Sequence, residues 1–247
     1  MKADPLSQQT LLELQQHDSV LAQLAHRKKT LPEHDRLAEI EAGRRELDGR
    51  RIEAETLVSD LTRDSGRAEA EVEQVRSRRT NNQRRMDAGQ ITAAKDLENM
   101  QHEIVALDRR IGTLEDAELE VMEALEQAQA QLQDVQVDVG AADAEEASLV
   151  ASRDEAVERL DAEAAGHVDD RAAAAARVPD DLLALYEKVR AHHGGLGAAA
   201  LRQRRCEGCR LELNGADLRE LKPLPADEVL RCPECDRILV RTPESGL

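Results

Sequence analysis

Apolar residues recur at heptad spacing through the middle of this chain of 247 residues. One series begins at Met100 and stays apolar at every seventh residue through Ala156, nine positions in all. A second series runs from Leu97 to Leu160 and is apolar at seven of ten positions. The two series lie three and four residues apart, which is the spacing of a coiled-coil seam. The pattern predicts one long helix whose narrow apolar stripe must be covered by another helix.

The preceding sequence predicts that covering helix. Six apolar residues follow at intervals of seven: Ile40, Leu47, Ala54, Leu61, Ala68 and Val75. Between two arms of similar length lie residues 86–92, which contain Gly89, and glycine commonly ends helices. We therefore predict a mainly α fold in which residues 1–178 form an antiparallel coiled-coil hairpin that turns near 86–92. The alternative is two long helices that associate with another chain, so the choice between monomer and dimer stays open.

A break is expected in the first arm at Pro32, because proline lacks an N–H and clashes with the preceding turn of a helix. The phase of the apolar series shifts at this point. The run Thr30-Leu31-Pro32-Glu33 also matches a capping box, in which Thr30 caps the next helix and Glu33 reaches back to it.

The composition supports a fold without a rounded core. The chain has no tryptophan, no phenylalanine and a single tyrosine, Tyr186. Large rings supply much of the buried area in globular cores, so their scarcity favours helices that meet along a narrow seam. The net charge of −17 is uneven: residues 1–95 hold 17 acidic and 17 basic residues, whereas residues 96–164 hold 20 acidic and 4 basic ones. The returning arm therefore carries nearly all of the net negative charge.

Basic residues crowd the predicted turn of the hairpin. Between residues 76 and 95 the only acidic residue is Asp87. The basic residues are Arg76, Arg78, Arg79, Arg84, Arg85 and Lys95. Because like charges repel, we predict that they form a binding surface for an acidic protein, a phosphate-rich polymer or the acidic arm of another copy.

Residues 179–247 are predicted to form a second domain, with a short helix near 180–192 and a small C4 zinc ribbon containing β-strands. All the cysteines of the chain lie there, in two C-x2-C pairs separated by 22 residues: Cys206, Cys209, Cys232 and Cys235. Four thiolates in two such turns match the tetrahedral sulfur coordination of Zn²⁺. The alternatives are two disulfides, or one redox pair beside a second pair.

The zinc site is predicted to be structural, because four sulfur ligands leave no open position for a substrate. The ribbon is too small to bury a sufficient core alone, so metal binding should supply much of its folding free energy. No apolar run has the length of a secretory signal core or a membrane span. Together with reduced zinc thiolates, this leads us to expect a cytoplasmic protein with no membrane partner.

Residues at the opening, the turn and the ribbon form a recognisable set. They are Leu12-Glu13-Leu14-Gln15, Leu31-Pro32-Glu33, Gly89-Gln90-Ile91, Lys95-Asp96-Leu97, and the two cysteine pairs followed by Arg237-Ile238-Leu239. In these positions the chain resembles the bacterial C4-type zinc-ribbon proteins with an N-terminal coiled-coil hairpin. It departs from that family at Ala94, where proline is common, and at Asp236, where glycine is usual.

The resemblance implies a link to transcription or secretion machinery, because some members are implicated in binding a sigma factor and in flagellar or type III secretion. It does not identify a partner. The sequence contains no nucleophile motif and no Gly-rich phosphate loop. Our leading hypothesis is a non-enzymatic adaptor that binds proteins.

The alternative is a nucleic-acid-binding protein that uses the ribbon and the basic turn. Zinc ribbons often bind nucleic acid. However, residues 195–247 contain nine basic and nine acidic residues, which gives no net positive field to attract phosphate.

Overall fold

The structure is a computed structural model that describes all 247 residues. The helices are α1 (Pro5–Lys29), α2 (Pro32–Asp87), α3 (Ala94–Ala175), α4 (Asp180–His192) and α5 (Gly215–Leu221). The strands are β1 (Ala198–Arg202), β2 (Arg205–Cys206), β3 (Leu230–Arg231) and β4 (Ile238–Arg241). The predicted fold class, a long helical hairpin with a small strand-containing C-terminal region, is confirmed. No helix carries an apolar, uncharged stretch of the length that a bilayer requires.

The chain divides into two compact units. One consists of Asp35–Leu149, and the other combines Met1–His34 with Val150–Leu247. The domain boundary that the sequence suggests, between residues 178 and 179, stays a prediction.

Within the unit Asp35–Leu149, helices α2 and α3 run antiparallel. Ion pairs between them show the direction, because arginines near the start of α2 pair with acids near residue 145 of α3, whereas arginines near the end of α2 pair with acids at residues 103 and 108. These pairs are Arg36–Glu145, Arg44–Glu146, Arg78–Glu103 and Arg79–Asp108. Exposed pairs of this kind contribute roughly 0.2–1 kcal/mol each, so they set the alignment of the helices more than their stability.

The heptad positions form the covered surface of these helices. Every position of both α3 series, from Leu97 to Leu160, is buried or half-buried. On α2 the arginines at the seam, Arg44 and Arg51, are also half-buried, because their aliphatic stems can cover apolar surface while their charged heads reach water. The Ile40 series ends at Asn82, a buried polar residue. A polar side chain at such a position favours one register at some cost in stability.

The chain reverses between α2, which ends at Asp87, and α3, which begins at Ala94. Gly89 lies in this turn with φ of +62°, in the left-handed region that glycine occupies without strain. Its N–H donates to the carbonyl of Met86 at 3.1 Å, which closes the end of α2.

The expected break at Pro32 is present, but the capping box is wrong. Thr30 closes α1, because its hydroxyl donates to the carbonyl of His26 at 3.0 Å. Helix α2 begins directly at Pro32, so Thr30 lies too far back to cap it. Glu33 instead accepts a hydrogen bond from Ser152 on α3 at 3.0 Å. The capping pattern is therefore not used, and Glu33 contacts a distant segment of the chain.

In the other unit, a four-stranded sheet of order β2-β1-β4-β3 is buried on both faces. The central strands β1 and β4 pair in parallel. Strand β2 pairs antiparallel with β1, and β3 pairs antiparallel with β4. From β4, Ile238 and Val240 join the core formed with α1 and α4, whereas Leu239 joins the core around the cysteines. Burial on both faces explains the unbroken apolar run at residues 238–240.

A buried polar network connects the helices to this sheet. The carboxylate of Asp18 on α1 accepts hydrogen bonds from the Tyr186 hydroxyl at 2.6 Å and from Arg171 Nε at 2.7 Å. Gln15 Oε1, one turn away, accepts from the backbone N–H of Gly197 at 2.6 Å. Gly197 must be glycine, because an added Cβ would lie 2.8 Å from the Tyr186 ring. Asp18 therefore has charged and neutral donors that compensate its burial.

We expect the ionisation of Tyr186 to be coupled to unfolding. Burial and the hydrogen bond to Asp18 raise the pKa of Tyr186 above its ordinary value of about 10. A raised folded-state pKa gives stability that is complete below about pH 10 and is lost at higher pH. Tyrosinate absorbance should therefore stay flat through pH 10 in native buffer and rise only as helical circular dichroism disappears.

The same titration in denaturant should give an ordinary tyrosine curve, because Tyr186 is the only tyrosine and the chain has no tryptophan. The Tyr186→Phe variant is the control for other alkaline effects and should lose stability less steeply above pH 10. Reversible ionisation near pH 10 with intact circular dichroism would show that the network does not hold the proton.

Candidate metal centre

Each cysteine pair lies in a tight turn next to a short strand. Cys206 ends β2, and Cys232 directly follows β3. The two turns are built alike, because the N–H of Arg210 donates to the carbonyl of Cys206 at 2.7 Å and the N–H of Asp236 donates to that of Cys232 at 2.8 Å. Arg210 and Asp236 both have positive φ, +62° and +55°. This is the left-handed conformation that glycine adopts without strain, so both positions could accept glycine.

The turns bring the four sulfur atoms together. Cys206 Sγ lies 3.9 Å from Cys235 Sγ, and Cys209 Sγ lies 3.9 Å from Cys232 Sγ. All four sulfur atoms are within 4.8 Å of one another. Zinc–sulfur bonds of roughly 2.3 Å imply a tetrahedron edge of about 3.8 Å. The sulfur atoms are too far apart for disulfides, whose S–S bond is about 2.05 Å, and the donor set suits zinc.

The surroundings of the thiols differ. Burial raises the pKa of Cys206 and of Cys232, because it disfavours the charged thiolate. Burial acts in the same direction on Cys235, but hydrogen bonds from the backbone and side chain of Arg237 outweigh it and lower the pKa of Cys235 to about 7. Cys235 is therefore the most readily ionised of these three thiols. A bound divalent cation would favour the thiolate form of every ligand.

Two residues that the motif leaves unspecified shape this centre. Gly208 lies inside the first pair, where an added Cβ would come 2.8 Å from the Arg237 side chain and 3.0 Å from Ala199. The guanidinium of Arg237 donates to the carbonyls of Leu196 and His193, at 3.1 and 3.2 Å. Neither residue was predicted from the sequence to contribute to the metal centre. The glycine within the first C-x2-C pair was the one available signal for the close approach at Gly208.

The six basic residues predicted to form a surface at the hairpin turn separate into two groups. Three pair with acidic residues of α3: Arg76 with Glu115, Arg78 with Glu103, and Arg79 with Asp108. The others, Arg84, Arg85 and Lys95, have no acidic partner in the structure. We call these three residues the turn cations. The division into paired and unpaired residues could not be predicted from the local sequence. The acidic partners of the three paired arginines lie 25 to 39 residues away from them along the chain.

The hairpin and the ribbon each match a known family of domains. The model of the CT398-like coiled-coil hairpin domain matches residues 14–194. This chain belongs to the CT398-like coiled-coil hairpin family. The model of the C4-type zinc ribbon domain matches residues 205–239, which include all four cysteines. The suspected family is confirmed, and the zinc ribbon with its clustered sulfur atoms supports one structural zinc as the cofactor.

Relatives of this CT398-like chain match it over nearly its whole length. The uncharacterized protein Rv2229c of Mycobacterium tuberculosis is 36% identical over 241 residues, which are 98% of each chain. A solved structure from Mycobacterium smegmatis has 36% identity and a TM-score of 0.84, covering 98% of this chain and 100% of that one. CT398 from Chlamydia trachomatis has a TM-score of 0.66 over 96% and 98% of the two chains, and at 17% identity it supports the fold alone.

Zinc removal is expected to affect the two faces of the sheet differently. The face at the cysteines should lose its order, because no other bonds between the two cysteine turns replace the four zinc–sulfur bonds. The opposite face packs Ile238 and Val240 against helices and should stay protected. Chelation, or Cys206→Ser, should therefore abolish amide-exchange protection in residues 203–236 and leave much of it in β1 and β4.

The matched control is Glu207→Ser, at an exposed neighbouring residue, which should keep its zinc and its exchange pattern. Far-ultraviolet circular dichroism should change little in any of these samples, since the long helices dominate it. Full protection of residues 203–236 after complete zinc loss would contradict a metal-dependent ribbon.

Proposed function

We propose that this protein is a non-enzymatic zinc-binding adaptor that docks acidic protein surfaces at the turn of its helical hairpin. The observation that carries this proposal is the set of turn cations, Arg84, Arg85 and Lys95, which have no acidic partners. Of the twelve arginines in α2, nine form ion pairs, and two of the three exceptions are Arg84 and Arg85. Two of the three α2 arginines without an ion pair therefore lie beside the turn, close in sequence to the unpaired Lys95.

The conformation of the turn supports this role. Asp87, the one acid in the local sequence, accepts a hydrogen bond from Gln83 at 2.9 Å and pairs with neither neighbouring arginine. Lys95 lies in the first turn of α3, where its charge opposes the positive end of the helix dipole. A carboxylate-rich partner would relieve this unfavourable concentration of positive charge.

The zinc centre has a structural part in the proposal. Cys206, Cys209, Cys232 and Cys235 are the proposed ligands. With all four positions of a tetrahedral zinc occupied by sulfur, the metal would stabilise the ribbon and have no position left for a substrate. Such a site requires reduced thiols, which is the basis for proposing a cytoplasmic location.

A protein partner is favoured over a nucleic acid. The region that contains the ribbon, residues 195–247, holds nine basic and nine acidic residues and so gives no net positive field to attract a phosphate backbone. Tyr186, the only aromatic ring outside histidine, is buried and unavailable for stacking on bases. A link to transcription or secretion machinery, which the family resemblance implies, is consistent with an acidic protein partner.

Reversing the turn charges should abolish partner capture. The full chain and the triple variant Arg84→Glu, Arg85→Glu, Lys95→Glu would each be used for affinity capture from cytoplasm at physiological salt, followed by mass spectrometry. We expect the triple variant to lose one or more acidic proteins that the parent retains. Capture by the parent should also weaken as salt is raised, because exposed charges are screened within about 8 Å at physiological ionic strength.

The matched control is Arg50→Glu, which reverses another exposed α2 arginine without an ion pair, away from the turn. It should capture the same proteins as the parent. Identical capture by all three proteins would contradict the docking role of the turn. Anisotropy titrations with single- and double-stranded DNA and RNA test the alternative, and tight, steeply salt-dependent binding lost in the triple variant would favour nucleic acid instead.

A further inference from the structure

A second cluster of potential metal ligands lies apart from the cysteines. It consists of His17 on α1 with His167 and Asp170 on α3. The Nδ1 atoms of the two imidazoles face each other at 3.0 Å, and one ligand atom from each of the three residues lies within 4.8 Å of the others. His167 and Asp170 are three residues apart on one helix, so they share a face.

Contacts on either side hold the two helices in place around this cluster. Toward one end, Arg171 Nε donates to the buried carboxylate of Asp18 at 2.7 Å, and Asp18 is the residue after His17. Toward the other end, Leu24 and Leu160 are buried, and Lys28 pairs with Asp161 at 2.7 Å. The ligands are therefore carried by rigid helical segments, which position a site more precisely than loops do.

We propose that His17, His167 and Asp170 bind one divalent transition-metal ion, such as Ni²⁺, Co²⁺ or a second Zn²⁺. Two imidazole nitrogens and a carboxylate oxygen suit these borderline cations, and fewer than four protein ligands leave positions for water. This site is independent of the zinc ribbon and of the proposed docking surface.

The geometry carries the proposal. Metal–nitrogen bonds of about 2.0 to 2.1 Å place neighbouring ligand nitrogens about 3.0 Å apart at a right angle and about 3.4 Å apart at the tetrahedral angle. The observed 3.0 Å lies at the lower end of this range. Both histidines are half-buried, and the exposed Asp170 forms no ion pair that would compete for its carboxylate. A cation between the rings would be bound by nitrogen lone pairs and an unneutralised acid.

The test is a calorimetric titration of the full-length, zinc-loaded protein with Ni²⁺, with a dye assay for released zinc to show that the ribbon stays intact. We expect one equivalent of Ni²⁺ to bind without zinc release and to raise the melting temperature. His17→Gln and His167→Gln should each weaken binding by about 100-fold or more, since even outer-shell groups are worth 10- to 100-fold. Asp170→Asn should weaken it while leaving the histidine pair in place.

Two controls separate this cluster from other histidines. His102→Gln removes an exposed histidine elsewhere on α3, and the double variant His192→Gln, His193→Gln removes the adjacent pair at the end of α4. Both should bind Ni²⁺ like the parent. Loss of binding in the double variant alone, or no equivalent bound before zinc is released, would overturn the proposal and leave a simple hydrogen bond between His17 and His167. Circular dichroism of each variant verifies that it is folded.

Discussion

A narrow aliphatic stripe is the constraint on which the helical structure depends. With no tryptophan, no phenylalanine and one buried tyrosine, the long helices have only Leu, Ile, Val, Met and Ala to exclude water along their seams. An isolated helix with such a stripe would leave it exposed, so the chain must supply a covering helix. Within the unit Asp35–Leu149, α2 covers α3, and within the other unit α1 covers the end of α3. Ion pairs along the edges align the helices.

The unit that contains the ribbon uses a different means of stabilisation. Its strands are short, so the sheet alone would bury too little apolar surface to be stable. One face is therefore covered by α1 and α4 through Ile238, Val240 and Tyr186, and the other is closed around the cysteines. The network centred on Asp18 joins these helices through hydrogen bonds and ion pairs. Removing Asp18 would leave Arg171 and Arg190 without their shared buried partner.

The distribution of charge connects the fold to the proposed function. Acidic residues of α2 and α3 together pair with nine of the twelve α2 arginines, so this helix has little free positive charge along most of its length. The turn cations and Arg50 are the exceptions, and Arg84 and Arg85 are the two that lie next to the turn. A surface that remains positive on an otherwise acidic protein can select partners by charge, and it can do so without a pocket or a reactive group.

Periodic and motif-based features were determined by the sequence alone. Heptad spacing located the seam from Leu97 to Leu160, Pro32 located the break, and paired C-x2-C spacing led to the zinc ribbon. These features depend on residues that are close in sequence, where helix geometry and turn length limit the possibilities. The capping box at Thr30 was wrong, because α2 begins two residues later at Pro32, and Glu33 accepts a hydrogen bond from the distant Ser152 instead.

Only the tertiary structure decided which distant side chains meet. It paired Arg76, Arg78 and Arg79 with acidic residues and left the turn cations without acidic partners. It buried Asp18 in hydrogen-bond contact with Tyr186. It also brought His17 to His167 across 150 residues of sequence. A heptad pattern specifies which face of a helix is covered, but the register of the covering helix depends on the loop length and on packing summed over the whole seam. Contacts across that seam therefore follow from the folded chain and have no local signature.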